Sequence, residues 1–312
     1  MECEPSPLWI ERRGFVSNKP RKMTLEKKHN LTGWAFLAPA TFLLVVFSFW
    51  PMIKALVLSF QTGKGRNMQM AGFTNYIRMF QDDVFIQSIK NTFFYFILQV
   101  PIMLVVALVL ACILNKKDLR FKGFFRTMIF LPCTTSLVAY SIIFRSLFAN
   151  DGLVNYVLVN VGILDRPYNF LTQPFAAKMV IILGLLWRWT GYNMVFFLSG
   201  LQNIEYSVYE AAKIDGASAI QTFFKITVPL LKPTILLTAI MSTNGTLQLF
   251  DESINLTDGG PANASISMSH YIYNLCFKYV PNFGYAAAMS FFILLLVAVL
   301  AFIQMRVGDK RD

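Results

Sequence analysis

This sequence is short of charge. Only 14% of its 312 residues are Asp, Glu, Lys or Arg, against about 25% in soluble domains, so a soluble globular enzyme is the first class to fall away. Histidine is nearly absent. His29 and His270 stand alone, too few and too far apart for a metal cluster. The four cysteines build no disulfide framework: Cys3 is in the N-terminal tail, Cys112 and Cys133 lie in apolar runs, and Cys276 is isolated. No Gly-x-x-x-x-Gly-Lys-Ser/Thr phosphate loop occurs, which excludes a P-loop nucleotide hydrolase. Intramembrane hydrolysis needs a nucleophile with a base, or a metal site. There is no His-Glu-x-x-His, no histidine within an apolar run and no carboxylate pair in the interior of one. A secondary transporter working alone usually keeps carboxylates or paired interrupted helices in its spans, and only the edge residues Asp251 and Glu252 come close. The first 30 residues hold no apolar stretch of signal-peptide type, so the spans themselves must direct insertion.

What is present is apolar length. Hydrophobic residues make up 55% of the chain, and a spanning helix needs about 20 of them in a row. Six runs qualify: about 35–60, 91–114, 127–148, 176–200, 234–254 and 284–305. Strand alternation is missing and the runs are too long for barrel strands, so the expected fold is an all-α polytopic membrane protein of six spans. Residues 1–30 read as a basic, disordered tail, with Met23 as an alternative start and residues 1–22 dispensable. Residues 31–306 read as one membrane domain, and 307–312 as a second tail.

The net charge of +11 would suit a nucleic-acid binder in a soluble protein, but its placement argues against that. Seven Lys/Arg precede the first run: Arg12, Arg13, Lys19, Arg21, Lys22, Lys27 and Lys28. Five follow the second: Lys116, Lys117, Arg120, Lys122 and Arg126. Lys213, Lys225 and Lys232 follow the fourth, and Arg306, Lys310 and Arg311 the sixth. That side carries twice as many basic residues as the other, even with Lys54, Arg145 and Lys178 counted there. By the positive-inside rule both termini are cytoplasmic, as is the polar link between spans four and five.

That link, residues 205–231, includes the stretch YEAAKIDGASAIQTFFKITVPLL. Ser207 to Glu210 and Ser218 to Gln221 each fit a helix capping box, with Gly216 free to turn between two helices. The second helix is expected to gather Ile220, Phe223, Phe224 and Val228 on one face and to end at Pro229. Two capped helices that merely reverse the chain are one reading. A docking element laid into a partner's groove is the other, and the link is longer than a reversal needs.

Polar residues also mark spans four and five. Arg188 lies near mid-depth, followed by Trp189, Tyr192 and Asn193. Asn244, Gln248 and Asp251 fall at i, i+4 and i+7, on one face of span five. A buried arginine faces protein or a water-filled cavity. It either hydrogen-bonds backbone carbonyls as a structural element or lines a solute path. The polar face likewise suits helix–helix hydrogen bonding or a sugar path, since sugars are held by aromatic faces and amides.

Glu210, Ala211, Ala212, Gly216, Ile226 and Pro229 match the EAA signature, and the chain resembles the permease subunits of binding-protein-dependent ABC importers. GFTNYIRMF, RTMIFLP, WRWTGYNMVFFLSGLQNI and LTDGGPANAS resemble the carbohydrate-uptake branch, of the maltose F, lactose, multiple-sugar or glycerol-3-phosphate A type. It departs from the maltose F subunit, which has extra N-terminal spans and a large external domain. The resemblance implies a coupling helix at Glu210, Ala211, Ala212, Asp215 and Gly216, seated on a dimer of separate ATP-binding subunits. It implies a second permease subunit as heterodimer partner, an extracellular solute-binding protein, no cofactor, and a place in the bacterial inner membrane. It implies a solute path along Arg188, Trp189, Tyr192, Asn193, Asn244, Gln248 and Asp251. The solute is a sugar or, as the alternative, a non-sugar such as glycerol-3-phosphate.

Overall fold

The computed structural model describes residues 25–64, 67–116 and 118–308. Most of the expected N-terminal tail, including Met23, and the last four residues lie outside the described residues. Leu25 to Asn30, which the sequence assigns to the tail, already belong to the first helix. Packing divides the chain into two units, Met1–Ile53 and Lys54–Asp312.

The first helix begins at Leu25 and widens into one π-turn over Val45–Phe49 before Trp50–Ser59. Pro51 explains the widening. Its ring cannot donate to the carbonyl four residues back and crowds it, and a π-turn relieves that conflict.

In the second unit, span two (Asp83–Asn115) lies along span four (Pro174–Gln202), and span six is Phe283–Gly308. Together with the first helix these are long and apolar enough to cross a membrane, and among the described residues two bent pairs bring the number to as many as six. Span three is one of those pairs. Lys122–Thr134 and Leu137–Leu147 meet at 98°, where a single helix is expected. Pro132 removes a backbone donor just before the bend. The Thr134 and Thr135 hydroxyls donate to the carbonyls of Leu131 and Pro132 (2.8 and 2.7 Å). The Arg188 guanidinium donates to the Thr135 carbonyl at 2.9 Å. Span four can approach this backbone because Gly191 lacks a side chain: a Cβ there would lie 1.9 Å from the Ile129 carbonyl oxygen.

Span five also departs from the expected run. Its helix is Lys232–Leu247, and the chain leaves helical geometry at Gln248 rather than continuing to Ile254. A π-turn follows at Ser253–Thr257. The LTDGGPANAS stretch then turns through positive φ at Asp258, Gly259, Ala262 and Asn263, in line with its turn composition. Ser267 Oγ donates to the Leu249 carbonyl freed by the break, and Ser253 Oγ donates to the Ser265 carbonyl at 3.0 Å. From span two, Asn91 Nδ2 donates to the Asn263 and Ile266 carbonyls (3.2 and 2.9 Å), and the Tyr95 hydroxyl to the Ser265 carbonyl (3.0 Å). His270 closes this segment against Ser253 Oγ at 2.9 Å. Burial pushes its pKa down to about 4, so it packs as a neutral ring.

A hairpin that sequence reading misses pairs Gln61–Lys64 with Asn67–Met70 after the first span. Asn75 secures its base by donating to the carbonyls of Ser59 and Gln61, both at 2.8 Å. Close by in sequence, Asp82 joins three elements. One carboxylate oxygen caps span two by accepting from the backbone N–H groups of Val84 and Phe85. The other accepts from the Tyr271 and Tyr285 hydroxyls at 2.7 and 2.8 Å. Asp82→Ala removes the cap and orphans two hydroxyls, and is expected to destabilise by about 3 kcal/mol. Tyr271→Phe, which removes one bond, should cost about 1 kcal/mol. Thermal unfolding of the detergent-solubilised protein checks this, and equal shifts for the two variants would show that Asp82 is not the joint.

Candidate functional site

The link between spans four and five is a helix-turn-helix. Its first helix is Tyr206–Ile214, and Glu205, not Ser207, occupies the N-cap. Ser207 then lies within the first helical turn, where its hydroxyl meets the Glu205 carboxylate at 3.3 Å instead of a backbone N–H, so the first expected capping box does not form. The second does: Ser218 and Gln221 exchange side-chain and backbone bonds at 3.3 and 2.8 Å. Between them Gly216 has φ of +75° with open space where a Cβ would stand, so conformation alone demands glycine.

Glu210, Ala211, Asp215 and Gly216 are exposed, whereas Ala212 is buried against the bundle. The single apolar face expected for the second helix is split. Phe223 and Val228 pack inward against the core around Leu201 and Leu231, while Ile220 and Phe224 point outward with Ile214, which is 86% exposed. The link thus carries a ridge of exposed apolar side chains, Ile214, Ile220 and Phe224, among the exposed charges of Glu210, Lys213, Asp215 and Lys225. A hollow borders the link, lined by Asn115, Lys116, Asp118, Gln202, Tyr206 and Tyr209 among others.

The second feature is a cavity of about 380 Å³. Span four contributes Leu185, Trp189, Tyr192 and Asn193; span five contributes Met241, Ser242, Gly245, Thr246 and the broken stretch Gln248–Glu252; span two contributes Gln99 and Met103; Leu137 completes it. Trp189 and Tyr192 meet edge to face at 5.8 Å, offering two apolar ring surfaces beside amides. The Asp251 and Glu252 carboxylates lie on the same wall, and no Lys or Arg lines it. Among the described residues no group of three or more His, Cys, Asp or Glu is placed to hold a metal.

Of the residues the sequence assigns to a solute path, the structure brings Trp189, Tyr192, Asn193, Gln248 and Asp251 to this cavity and leaves two outside the lining. Arg188 is buried on the side of span three. It supports the Thr135 carbonyl, and its guanidinium lies 5.3 Å from the Tyr140 ring and 5.4 Å from that of Trp189. Asn244 is exposed and accepts from the Gln248 amide. The i, i+7 relation to Asp251 fails because the helix ends at Leu247. Gln99, Met103, Thr246 and Glu252 are lining residues that the sequence reading did not select. A lone glutamine within the apolar run of span two was the available signal for Gln99.

The lactose transport system permease protein LacF of Rhizobium radiobacter is 51% identical over 93% of this chain and 98% of its own length. The multiple sugar-binding transport system permease protein MsmF of Streptococcus mutans is 33% identical over 92% of this chain and 99% of its own. The sn-glycerol-3-phosphate permease protein UgpA of Agrobacterium fabrum is 30% identical over 89% of this chain and 94% of its own. A chain in the crystal structure of a bacterial alginate ABC transporter, in complex with an alginate pentasaccharide-bound periplasmic protein, superposes with a TM-score of 0.80 at 26% identity. It covers 91% of this chain and 96% of its own length. The family described as "Binding-protein-dependent transport system inner membrane component" matches residues 84–311, and the chain belongs to that family.

Proposed function

We propose that this chain is a permease subunit of a sugar-importing ABC transporter and forms half of the translocation path. The observation that carries the reading is the cavity between spans two, four and five, with aromatic faces, amides and hydroxyls on its wall. That is the chemistry a polyhydroxylated ring requires. The 51% identity to a lactose permease over almost the whole length supports it. Glycerol-3-phosphate, the cargo named for the 30% identical relative, fits less well, because Asp251 belongs to the lining and no Lys or Arg does among the described residues, which disfavours a phosphate there.

The partners follow from the same reading. The apolar ridge on the 205–231 link seats on a separate ATP-hydrolysing subunit, Glu210, Ala211, Asp215 and Gly216 facing it and Ala212 fixing the helix to the bundle. A second, different permease subunit completes the path, and a soluble binding protein delivers the sugar. Span four runs from the cavity at Tyr192 to the link at Gln202, about 15 Å of continuous helix, so movement of the ridge is transmitted to the cavity wall. The excess of Lys/Arg on the link side supports a cytoplasmic position for both termini and the ridge, and the importer reading supports the bacterial inner membrane.

Three expectations test this. For orientation, a membrane-impermeant maleimide on intact spheroplasts should leave a cysteine placed at Gly216 unlabelled and label one placed at exposed Asp258; the reverse pattern inverts the topology. For coupling, Gly216→Val forces a β-branched residue to positive φ, a strain of about 1–2 kcal/mol, too small to unfold the bundle. It should leave membrane levels intact while cutting uptake severalfold relative to ATP hydrolysed. Parental coupling in that variant would reduce the link to a chain reversal. For the cavity, Tyr192→Ala and Gln248→Ala should lower lactose uptake about tenfold or more with binding-protein-stimulated ATPase activity retained. Undiminished uptake by both would remove the assignment.

A further inference from the structure

The floor of the cavity contains a hydrogen-bonding mismatch. Gln99 on span two and Asn193 on span four, 1% and 4% exposed, both aim amide nitrogens at one atom, Met103 Sδ, at 3.0 and 3.5 Å. A thioether is a weak acceptor, and buried donors without a good partner cost free energy. The amide oxygens are already engaged: the Thr246 hydroxyl donates to Gln99 Oε1 at 3.0 Å and the Ser242 hydroxyl to Asn193 Oδ1 at 3.3 Å. Asn193 Nδ2 has a second, stronger acceptor in the Trp189 carbonyl at 3.1 Å. Gln99 Nε2 has the sulfur alone among the described residues.

A tie between spans two and five explains the oxygen of Gln99 but not the nitrogen. Its donors are held in direction by Thr246 at the cavity lining and meet only that weak acceptor among the described residues. We propose that Gln99 is a substrate-binding residue: its amide donates to a sugar hydroxyl oxygen that takes the place of the Met103 sulfur, with Asn193 beside it. Met103 is unbranched and has three rotatable bonds, so it can leave the amides and lie against the C–H face of the sugar. This deepens the sugar-import reading and rests on it, and it adds span two to the surface that recognises the cargo.

The test uses the complete transporter with its binding protein in cells, and initial-rate uptake of lactose and of those monodeoxylactoses that the parental system carries. Gln99→Leu should lower lactose uptake about tenfold while binding-protein-stimulated ATPase activity persists. The loss should shrink to about twofold or less for the analogue that lacks the contacted hydroxyl. A span-to-span tie predicts the same proportional loss for every sugar, and that result overturns the proposal, as does unchanged lactose uptake. If Gln99→Leu fails to assemble, Gln99→Met, of nearly equal length, carries the same comparison. Absence of lactose uptake by the parental system would instead count against the substrate reading itself, and the floor would fall with it.

Discussion

A backbone carbonyl or N–H in the hydrocarbon layer must find a partner within the protein, because no water is there to supply one. Much of the chemistry in this bundle follows from two places where helices break under that constraint. At the bend of span three, two threonine hydroxyls and the Arg188 guanidinium take up carbonyls near the break. At the end of span five, Ser267 takes the Leu249 carbonyl, and Asn91 and Tyr95 reach from span two to the loop that follows. An unbroken span five would present one helical face. The break instead brings the irregular stretch Gln248–Phe250, and Asp251 and Glu252 where the helix resumes, into the lining of the cavity.

The spans were legible because hydropathy over twenty residues is a strong, additive signal. The breaks were not, because Thr135, Ser136 and Leu249 leave the average almost unchanged and the groups that stabilise the interruptions come from distant sequence. Pro132 was the only local hint for span three, and proline in a spanning helix is often accommodated without a bend. The same blindness misplaced Asn244 and Asp251 on one face, since i, i+7 spacing has meaning only while the helix continues. Arg188 stood out by its charge, yet charge alone could not choose between a solute path and a carbonyl partner 53 residues away. At the link, the short-range signal of Ser218 and Gln221 was sufficient. Ser207 failed because Glu205, two residues earlier, took the cap.

The ridge and the cavity are joined by the two helices that flank the link. Span four leaves the cavity at Asn193 and reaches the link without interruption. Span five enters from the link at Lys232, with a 70° change of direction from Ala219–Leu230. Ala212, Phe223 and Val228 hold the link against the bundle, so it has few independent ways to move. The link thus connects directly to the helices that carry Trp189, Tyr192 and, at its end, Gln248. Rigid elements of this kind can change cavity shape by small rotations, whereas a flexible loop would absorb the displacement.

The reach of Asn91 has a consequence for how the protein is made. Its amide serves carbonyls at Asn263 and Ile266, 172 and 175 residues further along. At ribosomal rates of roughly 5–20 residues per second, about 10–35 seconds separate synthesis of donor and acceptors. During that interval span two is already made while the permanent partners of Asn91 do not yet exist. Gln87, one turn away, donates to the Asn91 side chain at 3.0 Å and offers a local companion for part of it. The nascent chain thus passes through a stage in which a helix destined for the centre of the bundle has its polar side chains only partly satisfied, and completion of the loop after span five ends that exposure.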